Sequence, residues 1–147
     1  MTVARRLKSE RGAELIEFAL VLPLLLLVVL GIAEFGFVFM RYEAINNAAR
    51  EGARLAVLPG YATIDVQNRV VAYGNASGVP GLTTANVAVA NTTVAVAAGV
   101  TVNCKRVTVT YTYQHQFLGG ITQLLFGSSA ADIPMTAVAE MRNEGAL

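Results

Sequence analysis

Arg11 to Phe35 reads RGAELIEFALVLPLLLLVVLGIAEF, an apolar run bracketed by the carboxylates of Glu17 and Glu34. Phe18 to Ala33 contains no charge and makes about 24 Å of helix at a rise of about 1.5 Å per residue. A hydrocarbon core is roughly 30 Å thick, so a membrane span has to continue past Glu34 through Phe35, Gly36, Phe37, Val38, Phe39 and Met40. A carboxylate at that point is tolerable near the far interface or facing a protein partner.

Charge along the chain is uneven. Residues 1–12 hold Arg5, Arg6, Lys8 and Arg11 against Glu10, a balance of +3, and the other 135 residues balance at −2. A short basic block beside an apolar run fits a membrane flank and not a nucleic-acid site, and it orients the N-terminus to the cytoplasm and the rest outside. A cleaved secretory signal is the competing reading. Its apolar part should be about 7 to 15 residues and end in small residues, whereas this run is longer and ends in Phe35-Gly36-Phe37-Val38-Phe39. Pro23 would cost about 3 kcal/mol inside a soluble helix. Membrane helices tolerate proline, so Pro23 reads as a kink, either a plain bend or a place where the helix loosens during insertion or assembly.

Arg41 to Leu58 (RYEAINNAAREGARLAVL) extends the helical pattern to the stop at Pro59-Gly60. Ala44, Ala48, Gly52 and Ala56 stand four apart, a column that admits close approach of another backbone. It can pack on this chain's own small domain or on another copy or a homologous helix. Unbroken, residues 13–58 make one helix about 69 Å long. Ile64 to Tyr73 predicts a short helix ending at Gly74, with Val66, Val70 and Tyr73 at helical spacing. Asn75 to Thr84 reads as a loop. Strand patterns follow at Asn86–Ala90 and, more strongly, at Arg106–His115, where Val107, Val109, Tyr111 and Tyr113 alternate with Thr108, Thr110 and Thr112. Val94–Val102 can add a strand interrupted at Gly99, Phe117–Phe126 reads as an apolar connection broken by a turn at Gly119-Gly120, and Pro134–Asn143 as a last strand. The expected fold class is α+β: a long N-terminal transmembrane helix continuing into a small head of a short helix and a three- to four-stranded antiparallel sheet.

Catalytic equipment is sparse. His115 is the single histidine and Cys104 the single cysteine, so no internal disulfide forms. The two are 11 apart near opposite ends of one predicted strand, about 36 Å if fully extended, so they do not make a nucleophile–base pair. Cys104 reads as a small buried residue and His115 as a strand-end surface residue. Asp65 and Asp132 are isolated, Ser128-Ser129 has no partner at an interpretable spacing, and no phosphate-binding or dinucleotide motif occurs. Asn75-Ala76-Ser77 and Asn91-Thr92-Thr93 match a glycosylation sequon, a frequent chance match. No enzyme, metal site or cofactor is expected.

Gly12-Ala13-Glu14-Leu15-Ile16-Glu17-Phe18 resembles a class III prepilin signal, in which a basic leader ends in glycine and a glutamate followed by an aromatic residue stands at the fifth mature position. With the continuation FALVLPLLLLVVLGIAEFG and then AINNAAREGAR, the chain resembles the TadE-like pseudopilins, or minor pilins, of the tight-adherence (Flp) pilus and secretion system. The resemblance is strong over Arg11–Leu58, weaker over Val107–Tyr113 and Met135–Glu144, and absent over residues 61–105. It implies cleavage between Gly12 and Ala13 by a prepilin peptidase and recognition or assembly through Glu17 and Phe18. It also implies that the chain is a substrate and assembly component with no catalytic role. Implied partners are that peptidase, a major Flp-type pilin, a second pseudopilin, the inner-membrane assembly platform and the lipid bilayer. Implied domains are a leader at 1–12, a transmembrane and extended amphipathic helix at 13–58 and an exported α+β head at 59–147, on a single-pass cytoplasmic-membrane protein with the head periplasmic or extracellular. Glu14 adds an acid whose role the motif does not fix, and Glu34 has no motif role. The alternative is an unprocessed single-span envelope protein whose head binds a ligand or surface.

Overall fold

A computed structural model of the chain describes residues 3–97, 99–128 and 130–143, with the side chains of residues 3–11, 125 and 126 left aside. The elements in order are α1 (Val3–Ala56), α2 (Thr63–Ala76), a 3-10 turn (Thr84–Asn86), β1 (Val87–Ala97), β2 (Val100–Tyr113), α3 (Leu118–Phe126) and β3 (Ile133–Arg142). The chain is α+β, and the helical pattern of α1 continues through Pro23. Because proline has no N–H, the Ala19 carbonyl one turn earlier loses its usual donor.

The residues form two compact units. One comprises the chain up to Gly36 together with His115–Ala130; the other comprises Phe37–Gln114 with the segment from Ala131 onward. In the first unit the apolar side chains of α1 face outward: Leu20 is 74% exposed, Leu24 66% and Ile32 69%. None of the residues in its most apolar 18-residue window is buried, and the helix is long and apolar enough to cross a membrane. An exposed apolar surface of this size marks a membrane or a protein–protein contact.

The second unit is the head. Its sheet is a meander in the order β1-β2-β3, antiparallel throughout. Register puts Val87, Val109 and Ala137 side by side, and Tyr111 beside Met135. Strand alternation therefore sends Val87, Val107, Val109, Tyr113, Met135 and Ala137 to one face, where all are buried with Ala44, Ile45, Ala48, Ala49 and Ala53 of α1 and Val66 and Val70 of α2. Threonines 108, 110 and 112 take the other face, as the β2 pattern predicts.

Small residues make this packing possible. Ala44, Ala48, Gly52 and Ala56 are all buried in the head. A Cβ on Gly52 would lie 2.4 Å from Val70 Cγ2 and 3.3 Å from Val107 Cγ1, so glycine is what lets α1 sit against both α2 and β2. Gly74 does the same for the segment after α2, where a Cβ would meet Leu82 Cδ2 at 2.6 Å. Gly74 is thus a packing residue inside α2, which runs on to Ala76 instead of stopping there. The start of α2 is held by the Asp65 carboxylate, which accepts the Ala62 N–H at 2.9 Å, and Gln67 donates to the Val87 carbonyl at 2.8 Å, tying α2 to β1.

Two local expectations change. Val94 and Val102 are paired across a hairpin that turns at Gly99 (φ +78°), so the stretch expected as one interrupted strand is the ends of β1 and β2. Phe117–Phe126 is not a glycine-broken connection: Gly119 and Gly120 lie in the first turn of α3, and the left-handed residue is Gly127, which closes that helix by donating its N–H to the Gln123 carbonyl at 3.0 Å.

On the head's surface Glu51 receives Arg54 from the next turn of α1 at 3.0 Å and Arg69 from α2 at 2.9 Å. Hydrogen bonds from the two guanidinium groups hold its carboxyl down at about 2, well below the ordinary 4.5. Arg106 and Glu140, paired in register across β2 and β3, form a further ion pair.

Candidate functional site

The residues singled out at the N-terminal end of α1 are presented, not enclosed. Glu14, Glu17, Phe18 and Val21 share one face of the helix, as spacings of three, four and seven residues require. Ala13 also falls on that side, one turn before Glu17. Ala13, Glu14 and Glu17 are exposed, and Phe18 is 61% exposed. Among the described residues no cation stands within ion-pair distance of Glu17. Gly12 lies within α1 and a Cβ there would meet nothing within 4 Å, so close packing inside the chain does not require a glycine. Met1 and Thr2 of the expected leader, and the side chains of Arg5, Arg6, Lys8 and Arg11, lie outside the described residues.

The second carboxylate has the opposite setting. Glu34 is 2% exposed. One of its oxygens accepts the Gln116 N–H at 2.8 Å and lies 3.2 Å from His115 Nδ1; the other accepts the Phe117 N–H at 2.9 Å and the Leu118 N–H at 3.4 Å. These are the backbone donors at the start of α3, which in any helix lack internal acceptors. A carboxylate at that end also meets the positive pole of the helix dipole. A carboxylate only accepts, so this contact is a hydrogen bond in the His115 tautomer with its proton on Nδ1. Thr122 Oγ1 donates to the Leu118 carbonyl at 2.8 Å and accepts the Ala130 N–H at 2.8 Å, which ties down the segment after α3.

His115 is thus a half-buried partner of Glu34 and not a strand-end surface residue. Cys104 is buried in β2, its Sγ 3.8 Å from the Val102 carbonyl. Among the described residues no group of three or more His, Cys, Asp or Glu is placed to hold a metal ion. Ser128 stands beyond α3, and Ser129 is outside the described residues.

An exposed acid and aromatic residue near the start of a long apolar helix is the arrangement found at residues 12–54, and this stretch matches the family model described as TadE-like protein. The segment is TadE-like. The match takes in Gly12, Ala13, Glu17, Phe18, Pro23, Glu34 and most of the alanine and glycine column, and it ends before α2. No curated protein and no solved structure matches the chain. The match covers less than a third of the chain, all of it within α1, a helix long and apolar enough to cross a membrane.

Glu34 is the residue that sequence reasoning left without a role. Its position beside an uncharged run was visible, but its partners are main-chain amides 82 to 84 positions later, and no side-chain motif announces them.

Proposed function

We propose that the chain is a pseudopilin, or minor pilin, of a tight-adherence (Flp type IVb) pilus, matured by a prepilin peptidase that cuts between Gly12 and Ala13. The observation that carries this reading is the TadE-like match that begins at Gly12 and runs along the outward-facing apolar part of α1. The chain is a substrate and a structural part with no catalytic role of its own, anchored once in the cytoplasmic membrane with residues 1–12 inside and the head outside.

Cleavage creates an α-ammonium on Ala13. Glu17 of one subunit meets that ammonium on a neighbour as the helices pack. A lone carboxylate beside hydrocarbon is costly, and an opposite charge within about 4 to 6 Å favours its ionised form. Pairing thus favours processed subunits over unprocessed ones, with Glu17 setting register. Within its own chain the Glu17 carboxylate also profits from the positive end of the helix that processing exposes. Partners on this reading are the peptidase, a major pilin, a second pseudopilin and the inner-membrane assembly platform.

The test uses substitutions at Gly12. Replacing it with a larger residue should leave the folded chain intact, because nothing packs there, while blocking maturation in cells that contain the peptidase. Normal maturation of such a variant removes Gly12 from the processing site.

A further inference from the structure

The helix α3 and the apolar part of α1 belong to one compact unit. From Gln116 to Ala131 the sequence, QFLGGITQLLFGSSAA, contains no ionisable side chain, the same property that marks Phe18–Ala33. Leu124 is 86% exposed and Phe117 42% exposed. In water such a surface is a liability.

Several backbone groups at the two ends of α3 are satisfied by the chain itself, which suits hydrocarbon. A helix end in water can leave its free N–H groups to solvent, whereas in lipid each must be satisfied by the protein. Here Glu34 takes the N–H groups of Gln116, Phe117 and Leu118. Gly127 closes the other end on the Gln123 carbonyl, and Thr122 satisfies its hydroxyl within the helix while accepting the Ala130 N–H. No buried side-chain nitrogen or oxygen among the described residues lacks a partner. At nine residues α3 is about 13 Å long, far short of a roughly 30 Å hydrocarbon core. It can enter the bilayer but cannot cross it.

We infer that α3 is a second membrane element, a short helix embedded in the lipid at the end of the span where Glu34 stands, with the buried Glu34 carboxylate as its anchor. The occupant of its exposed face is the lipid acyl chain. This inference rests on α1 being membrane-spanning. It gives Glu34 a role at the membrane boundary: the carboxylate is tolerated there because it faces the amides of its own chain and not lipid.

The test is lipid quenching on the full chain in phosphatidylcholine vesicles. Cys104→Ser removes the only native thiol. Single cysteines are then introduced at Leu25 in the span, at Leu124 on α3 and at Val138, which is 52% exposed on the head. Leu124 contributes little packing, so its replacement leaves the fold in place. Each site carries an environment-sensitive fluorophore and is read with acyl-chain brominated lipid and with aqueous iodide. The expected result is a blue-shifted emission quenched by bromine and not by iodide at both Leu25 and Leu124, and the reverse at Val138. Quenching of Leu25 by bromine, with Leu124 as open to iodide as Val138, would overturn the α3 assignment and leave the span standing. Protection of Leu124 from both quenchers would overturn it in favour of a protein cover. A Leu25 label open to iodide would remove the span itself, and the assignment with it.

Discussion

The carboxylate of Glu34 accepts the backbone N–H of Phe117 at 2.9 Å, across 83 positions of sequence. Around that contact Glu34 gathers two neighbouring amides and the His115 ring. Glu34→Ala should therefore leave up to three partly buried donors without an acceptor. Each such group costs about 1–3 kcal/mol, more than a solitary nine-residue helix can recover from its own propensity. The expected outcome is selective loss of amide-exchange protection in residues 116–126, with protection in β2 and β3 retained. Glu34→Gln keeps one acceptor oxygen and should fall between the two.

In the head the sharpest prediction concerns Gly52. A methyl group there would lie 2.4 Å from Val70 Cγ2, so α2 or the Val70 rotamer must move. Overpacking of this kind costs about 1–3 kcal/mol. Denaturant unfolding of the detergent-solubilised chain should show Gly52→Ala destabilised by that order. Gly12→Ala, made where a Cβ meets nothing, should unfold as the parent does.

Glu51 sets a pH dependence. Its carboxyl is held at about 2 in the folded chain against an ordinary 4.5. The folded value is depressed, so the stabilisation is fully present above about 4.5 and is lost as pH falls toward about 2. Unfolding measured from pH 7 to pH 2 should show a loss in the parent that Glu51→Gln lacks. The guanidinium partners are more than half exposed, so added salt should shrink the difference.

Much of this architecture was legible in the sequence because it follows from side-chain periodicity. The apolar run of α1, the small-residue column, the helical spacing of Val66 and Val70, and the alternation of β2 each name an element and a face. What was not legible depends on the main chain. Gly119 and Gly120 argue against a helix at about 1 kcal/mol each, and only the Glu34 cap and the Thr122 contacts show why α3 forms despite them. The hairpin at Gly99 is similar: VAVAAGVTV reads as one interrupted strand until register shows Val94 opposite Val102. At the candidate site, the family resemblance points to Glu17 because its motif is local, and the structure shows that residue exposed. Glu34 carries no local motif, and its role emerged only from contacts distant in sequence.

The exposure of Glu17 yields a prediction about assembly. Glu17→Gln preserves shape and removes the charge. The variant should still be processed and inserted, yet fail to co-purify with the other pilin subunits from membranes. Co-assembly at the parent level would show that the Glu17 charge plays no part in subunit pairing.

The central claim is that the working protein begins at Ala13. N-terminal sequencing of the chain extracted from membranes, with and without the prepilin peptidase, tests this most directly. The account predicts Ala13-Glu14-Leu15-Ile16-Glu17 when the peptidase is present and a chain still carrying its basic leader when it is absent. A chain that keeps residues 1–12 in the presence of the peptidase would contradict it.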